Sequence, residues 1–174
     1  MKIILLFTTL FFSITFSFSQ NLANLDSKYG INKFKLESSY DLYKKDLEYK
    51  SINVDVKFYK VKNFLAYNIL GKDAMEIGLA FYKNKLYSIS INLLTLKDKE
   101  YIEILAKLEN LFGPASHGKT FDGTFNYEWT YLWKTKKVYL GYTKMSRDSK
   151  FNPGEESIYM ISLKLKQQME NESF

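Results

Sequence analysis

The sequence predicts an α+β fold in which an antiparallel β-sheet of about six or seven strands carries two amphipathic helices on one face. Two stretches repeat apolar residues at positions 0, 4, 7 and 11, the spacing of one helical face. Other stretches alternate apolar and polar residues, as strands with one buried face do. Short turns separate these stretches, so neighbouring strands are expected to pair antiparallel.

The start of the chain has the pattern of a secretory signal peptide over residues 1–19. A cation precedes an apolar run over residues 3–18, and Ser17 and Ser19 occupy the −3 and −1 positions of a cleavage site. The run is short for a bilayer span, so no stable membrane span is expected after cleavage. Because Gln20 follows the site and the chain lacks cysteine, we expect a soluble periplasmic or extracellular protein that is not a lipoprotein.

The chain after the leader divides into three parts. Residues 20–29 form a polar lead-in, residues 30–166 form a single α+β domain, and residues 167–174 form a polar tail that is expected to fray. Inside the domain, residues 30–94 and residues 95–166 both have the order helix, then strands. This order suggests a diverged tandem α-β-β-β duplication.

The first half of the domain begins with an extended piece after Gly30, followed by a short helix at about residues 39–49. Ser38 and Asp41 have the spacing of a capping box at the helix start. The apolar stripe of this helix consists of Leu36, Tyr40, Tyr43 and Leu47. Strand-like runs follow at about residues 54–58, 63–70, 74–82 and 86–94.

The last two of these runs form a predicted hairpin through Lys83-Asn84-Lys85, because asparagine tolerates the left-handed conformation of tight turns. One face of the second hairpin strand is expected to be buried and consists of Tyr87, Ile89, Ile91 and Leu93. The opposite, solvated face consists of Ser88, Ser90 and Asn92.

The second half begins with the best-defined helix, at about residues 95–112. Thr95 and Asp98 form a capping box, and Gly113 followed by Pro114 ends the helix. Its apolar stripe consists of Tyr101, Leu105, Leu108 and Phe112. Three alternating segments follow at residues 125–134, 137–145 and 157–166, with a turn at Asp122-Gly123 and a long loop over residues 146–156.

The charge pattern disfavours nucleic acid as a partner. The chain has 25 Lys+Arg, 19 Asp+Glu and a net charge of +6, but Arg147 is its only arginine. The lysines are dispersed, whereas nucleic-acid readers concentrate arginine forks and basic clusters on one face. A dispersed positive charge remains compatible with an acidic glycan or an acidic protein.

Residues 113–120 match the phosphate-loop pattern G-x-x-x-x-G-K-[ST], through Gly113, Gly118, Lys119 and Thr120. A working phosphate loop leaves a strand and enters a helix, whose N-terminal amides hold the phosphates. Here the segment leaves a predicted helix and enters a strand, and Gly113 is better explained as a helix C-cap. We therefore interpret the match as spurious and expect no nucleotide or other cofactor.

No catalytic or metal site is indicated by the sequence. His117 is the only histidine and no cysteine accompanies it, so a nucleophilic or zinc site lacks its usual partners. Glu128 and Asp122 lie in poor positions for a glycosidase carboxylate pair. An enzyme is the less favoured expectation, and an exported hydrolase with an unrecognised site is the third hypothesis.

The most distinctive pattern is a strip of aromatic residues at alternate positions of one strand. Its members are Phe125, Tyr127, Trp129, Tyr131 and Trp133. The strip either packs as core beneath the helices or lies partly on an uncovered sheet face, where it would bind a ligand. In the second case the binding residues would be Tyr127, Trp129, Tyr131, Trp133 and Tyr139, with Tyr159 as a further extension.

In element order alone, two successive groups of one helix and several strands in an exported chain, the protein resembles the secreted β-lactamase inhibitor proteins. That resemblance implies a sheet face rich in aromatic residues that binds a protein. Those inhibitors carry disulfides, which this chain lacks, and no functional position is transferred from them. The leading hypothesis is an exported, non-enzymatic protein-binding domain; the alternative is a domain that binds carbohydrate or an envelope polymer through the same aromatics.

Overall fold

A computed structural model describes most of the chain after the predicted leader. The described residues are 22–93, 98–121, 127–145 and 156–172. The signal peptide, Thr95, the Asp122-Gly123 turn, Phe125 and nearly all of the predicted loop at 146–156 lie outside these ranges. The described part is a mostly antiparallel β-sheet with three helices.

The elements of the first half are α1 (22–28), β1 (Gly30–Ile31), β2 (Phe34–Lys35), β3 (Leu47–Asn53), β4 (Val56–Val61), β5 (Asn68–Ile69), β6 (Lys72–Tyr82) and β7 (Lys85–Leu93). The elements of the second half are α2 (Asp98–Phe112), β8 (Ser116–Phe121), β9 (Tyr127–Lys134), β10 (Val138–Met145), β11 (Glu156–Ser162) and α3 (Leu163–Glu172). Short 3-10 turns occupy Tyr40–Leu42, Lys44–Asp46 and Phe64–Ala66.

The main sheet has the strand order β3-β4-β6-β7-β11-β10-β9-β8, and every neighbouring pair is antiparallel. β5 pairs with the start of β6, and β1 and β2 form a separate two-stranded ribbon. The two halves of the chain join in the middle, where β7 pairs with β11 and Ile91 lies opposite Ile158. The antiparallel sheet expected from the alternating pattern is confirmed.

The two faces of the sheet are named here by the helix that packs on each. On the α2 face, Ile77 and Leu79 of β6 share one buried cluster with Ile104 and Leu108 of α2. On the α3 face, Ala80 and Tyr82 form a second, smaller cluster with Val56, and Met169 of α3 packs against it. Successive strand residues point to opposite faces, so β6 contributes to both clusters.

The second predicted helix is confirmed as α2. Leu108 and Phe112 of its predicted stripe are buried in the main core, as is Ile104, and Tyr101 and Leu105 pack partly buried against it. Gly113 has a positive φ of 82°, and its N–H donates to the Glu109 carbonyl at 2.7 Å. A glycine in this conformation just beyond a helix is the usual C-cap, which confirms the predicted helix end.

The first predicted helix, at residues 39–49, is wrong. Two 3-10 turns and the start of β3 occupy this segment, although Tyr43 and Leu47 are buried as the stripe predicted. The cause is competition for backbone hydrogen bonds: Tyr40 N–H donates to the Asn84 carbonyl, and Leu86 N–H donates to the Ser38 carbonyl. Pairing with the β6–β7 hairpin takes the Ser38 carbonyl, which as N-cap would accept the first hydrogen bond of an α-helix.

The end of the chain also differs from the sequence prediction. A strand was expected as far as residue 166, with a fraying tail from 167, but β11 ends at Ser162 and α3 continues to Glu172. The Ser162 hydroxyl accepts a hydrogen bond from Leu165 N–H at 3.2 Å and so caps the helix start. Leu165 is buried and Met169, four residues on, packs on the sheet, which gives α3 a narrow apolar stripe.

The predicted hairpin at Lys83-Asn84 is confirmed, since both residues have positive φ and Tyr82 pairs with Lys85. Ile89 and Ile91 are buried and Ser90 is exposed, as the alternation in β7 predicted. Tyr87 was placed on the wrong face, because it packs against the α3-face cluster. A register shift between Ala80 and Phe81 interrupts the alternation at this point.

None of the described helices is both long enough and apolar enough to cross a bilayer.

Candidate functional site

The aromatic strip of β9 is covered by α2 where its side chains are described. Trp133 is 1% exposed, and its ring meets Phe112 edge-on at 6.5 Å between centroids. The Trp133 Nε1–H donates to the Gly113 carbonyl at 2.7 Å, which fastens the strand to the end of α2. Trp133 thus presents no ring at the surface of this structure.

Tyr131 lies beside Trp133 on the α2 face and is half-buried. Its ring is 5.9 Å from that of Tyr101, which stacks on Tyr142 at 5.5 Å. Tyr127 and Trp129 belong to β9, where Trp129 lies opposite Lys144, but their side chains lie outside the described part. Their role in binding stays a prediction.

Tyr139 lies on the α3 face, opposite to Tyr131 and Trp133. β10 alternates, so that Leu140 and Tyr142 enter the core while Tyr139 and Gly141 point the other way. The Tyr139 ring is 6.0 Å from that of Tyr159, and the two planes are inclined by 31°. The predicted platform is therefore divided between the two faces of the sheet.

The phosphate-loop match has the geometry of a helix end followed by a strand. Gly113 caps α2, and Gly118, Lys119 and Thr120 lie in β8, paired with Thr130, Trp129 and Glu128 of β9. The N-terminus of a helix, which a phosphate loop needs, does not follow this segment in the described chain. His117 also lies in β8, opposite Tyr131.

A buried polar cluster lies under the start of α2. The Tyr142 hydroxyl donates to Glu156 Oε2 at 2.5 Å, and Glu156 is buried. Burial, together with the bond to Glu156, raises the pKa of Tyr142, so this hydroxyl stays protonated at neutral pH. Tyr101 covers the pair, and the Lys144 ammonium lies 4.4 Å from the centre of the Tyr101 ring. Among the described residues, no buried polar side-chain atom lacks a hydrogen-bond partner, so this cluster leaves no buried group unsatisfied.

A second polar cluster lies at the opposite end of the α2 face, around Glu37. This carboxylate accepts hydrogen bonds from Tyr29, from Ser162 at 2.9 Å and from Lys164 at 3.1 Å. Burial acts to raise the pKa of Glu37, but these hydrogen bonds outweigh it and hold the pKa below its ordinary value. Burial and the bond to Glu37 raise the pKa of Tyr29 to about 12. Ser162 in this group is fully buried and caps α3.

An apolar groove lies on the α3 face, and we call it the α3 groove. It has a volume of about 590 Å³ and runs between the tip of the β3–β4 hairpin and α3. Its apolar lining consists of Val54, Val56, Phe58, Tyr82, Tyr87 and Met169. Asp55 and Glu172 provide acidic groups at its edge.

Two residues of the α3 groove are unusually exposed for apolar side chains. Val54 is 81% exposed and Phe58 is 38% exposed. Val54 also has a positive φ of 51°, which is costly for a β-branched residue. An exposed valine in a strained turn does not contribute to the stability of the isolated domain.

Sequence reasoning missed the α3 groove because it depends on α3 and on the pairing of β4 with β6. The alternation of Val54, Val56 and Phe58 was recognised, but its side of the sheet could not be assigned. The four-residue spacing of Leu165 and Met169 in a polar segment was the available signal for α3. Within the described ranges, no group of three or more acidic, histidine or cysteine side chains is arranged to hold a metal ion.

No protein-family model, curated protein or solved structure matches this chain. The resemblance in element order to the β-lactamase inhibitor proteins depended on a helix at residues 39–49, and that helix is not formed. Support for the α3 groove as a binding site therefore comes from its own geometry.

Proposed function

We propose that this protein is an exported, non-enzymatic domain that binds a protein partner through the α3 groove. The observation that carries the proposal is the combination, at one place, of an open apolar groove and the exposed side chains of Val54 and Phe58. The groove also presents Phe58, Tyr82 and Tyr87, and aromatic side chains surrounded by a polar rim are the usual composition of a protein interface.

The available energy suits a specific interface. Complete burial of a valine or phenylalanine side chain contributes about 1.5 to 3 kcal/mol. Val54 is more exposed than Phe58, and a partner that covered the Val54 side chain would gain most of this burial free energy. Asp55 at the edge favours a partner that presents a basic side chain there, whereas Glu172 is already paired with Lys83.

Crosslinking at the groove would test the proposal. A photoreactive amino acid replaces Val54, and in a matched control it replaces Leu65, which is 70% exposed and lies outside the groove. We expect one envelope protein to be captured from position 54 and not from position 65. Equal capture from both positions would indicate collisional labelling and contradict the proposal.

The captured protein is then purified and titrated by calorimetry. We expect Val54→Asp and Phe58→Asp to weaken binding at least tenfold, and Leu65→Asp to leave it unchanged. Thermal unfolding of each variant checks that the domain is intact. Unchanged affinity in folded Val54→Asp and Phe58→Asp would exclude the groove as the binding surface.

Export is the other half of the proposal and rests on the leader pattern of residues 1–19. Intact-mass analysis of protein from the periplasm or medium is expected to give a chain that begins at Gln20. Recovery there of a chain that retains Met1 would contradict export by cleavage.

Carbohydrate or envelope-polymer binding is the second candidate. Tyr139 and Tyr159 favour it, because their neighbouring, half-buried rings lie on the α3 face, and tyrosine rings can stack on sugars. A glycan array with the intact protein, Tyr139→Ala and the control Tyr49→Ala tests it. Specific signal that only Tyr139→Ala removes would support this candidate, and signal that neither or both variants remove would count against Tyr139.

The tandem duplication stays a proposal, whereas the placement of both predicted helices on one sheet face does not hold, because residues 39–49 form 3-10 turns and the start of β3. The two hairpins of the proposed repeats differ by one residue in their turns, 83–84 between β6 and β7 and 135–137 between β9 and β10. Residues 40–47 and α2 both contribute side chains to the cluster on the α2 face, although the first segment is not an α-helix. These similarities support a common origin of the halves.

A further inference from the structure

An apolar cavity of about 200 Å³ lies on the α2 face, away from the α3 groove. Leu108 and Phe112 of α2 form one wall, and Leu140 and Met160 of the sheet form the floor. Residues 30–32, at β1, and residues 68–70, at β5, complete the lining.

Among the described residues that line this cavity, the only charged side chain is a cation. Lys28 stands beside the cavity with its ammonium 5.5 Å from the ring centre of Phe112, itself a lining residue. The other polar lining side chains are the neutral amides Asn32 and Asn68. The described lining therefore combines an apolar interior with positive charge at its edge.

The loop that closes one side of the cavity is tied to α2. Lys107 Nζ of α2 donates to the Leu70 carbonyl at 2.7 Å, beside the turn at Gly71. This contact joins two lining elements without placing a charge in the interior. The cavity thus lies between packed elements and is open to solvent on one side.

We propose that this cavity binds a small aliphatic monocarboxylate, with its hydrocarbon tail between α2 and the sheet and its carboxylate at Lys28. A cavity of about 150 Å³ lined by leucine, isoleucine and phenylalanine binds benzene, so 200 Å³ holds a tail of roughly six to eight carbons. The cation selects an anionic headgroup over a neutral one. This inference does not depend on the protein-binding proposal, because the cavity and the α3 groove lie on opposite faces and share no lining residue.

Calorimetric titration of the purified chain with butyrate, hexanoate, octanoate and decanoate tests the tail. Each added methylene is expected to tighten binding about fourfold until the cavity is full, after which decanoate gains nothing. Octan-1-ol tests the headgroup and is expected to bind at least tenfold more weakly than octanoate. Absence of binding at millimolar octanoate, or affinity that still rises to decanoate, would overturn the proposal.

Two kinds of variant locate the site. Ile31→Phe fills the cavity from the loop side and is expected to abolish octanoate binding, whereas Ile102→Phe, on the exposed side of α2, is the matched control. Leu111→Phe fills it from α2 and replaces Ile31→Phe if that variant does not fold. Unchanged octanoate affinity in a folded cavity-filling variant would place binding elsewhere.

Lys28→Gln separates the headgroup from the tail. It is expected to reduce octanoate affinity about tenfold and to leave octan-1-ol affinity unchanged, while the control Lys57→Gln, at an exposed strand position, changes neither. An equal loss for octanoate and octan-1-ol would contradict the assignment of the carboxylate to Lys28.

Discussion

The Trp133 indole N–H donates to the Gly113 carbonyl at 2.7 Å, so the last aromatic of β9 is joined to the residue that ends α2. Gly113 is buried one residue beyond α2, so its carbonyl needs a hydrogen-bond partner. Trp133 supplies it from the sheet while its ring fills the space beside Phe112. This contact explains why the strip belongs to the core at this position.

Replacement of Trp133 by alanine is expected to lower the free energy of unfolding by about 3 to 5 kcal/mol, because it removes a fully buried ring. Trp133→Phe retains an aromatic ring but leaves the Gly113 carbonyl without its donor, at a cost of about 1 to 3 kcal/mol. Urea denaturation measures both. A loss below about 0.5 kcal/mol in both variants would show that Trp133 is not a core residue.

Replacement of Gly141 by alanine is expected to lower the free energy of unfolding only while Tyr159 is present. A Cβ at position 141 would lie 2.1 Å from Cζ of Tyr159, so the tyrosine ring would have to move away. We expect Gly141→Ala to cost about 1 to 3 kcal/mol. Combined with Tyr159→Ala, the same change is expected to stabilise the strand by about 0.5 to 1 kcal/mol, since alanine is preferred over glycine inside a strand.

A double-mutant cycle measured by thermal or urea unfolding gives the coupling between positions 141 and 159. Additive effects of the two substitutions would show that the Tyr159 ring does not cover Gly141.

Val54→Asn is expected to raise the free energy of unfolding by about 1 kcal/mol. The positive φ of 51° at Val54 is unfavourable for a β-branched side chain, whereas asparagine tolerates it. Ile52→Asn, a similarly exposed change within β3, is the control and is expected to give no gain. If Val54→Asn lowered stability as Ile52→Asn does, the strained turn would not exist in solution.

Glu172 is expected to make the attachment of α3 sensitive to acid. Hydrogen bonds from Lys83, Tyr82 and Gln168 lower the pKa of Glu172 from its ordinary 4.5 to about 2. Because the folded-state pKa is depressed, the stabilisation is complete above about pH 4.5 and is lost as the pH falls toward 2. The group is exposed, so the effect is small and decreases with salt.

Urea denaturation at pH 7 and pH 3 measures this dependence. Glu172→Gln is expected to lose less stability between these two values than the unchanged protein, and Glu170→Gln, two residues away, is the control. Equal losses for the unchanged protein and Glu172→Gln would show that the contact with Lys83 and Tyr82 does not form.

The α2 helix was predictable because the residues that determine it are close neighbours in the sequence. The apolar spacing of Leu108 and Phe112 describes the buried face, and Gly113 ends the helix through its own backbone freedom. The turn at Lys83-Asn84 was predictable for the same reason, since its conformation depends on its own residues.

The segment at residues 39–49 was not predictable from its own pattern. Its stripe correctly indicated that Tyr43 and Leu47 are buried, but the hydrogen bonds between residues 38–40 and the β6–β7 hairpin decide the backbone. The proposed sites depend in the same way on distant contacts: the α3 groove needs Met169 near Val56, and the α2-face cavity needs Phe112 near Met160.

The sequence by itself determined the antiparallel sheet, the position and end of α2 and the β6–β7 turn, because periodicity and turn chemistry act over a few neighbouring residues. Only the tertiary structure decided which face each aromatic occupies, since the same alternation fits either side of a sheet. Trp133 lies in the core because the Gly113 carbonyl, just beyond α2, accepts its indole N–H and Phe112 packs against its ring. Tyr139, six residues later, lies on the other face because the β9–β10 register sets Leu140 opposite Trp133.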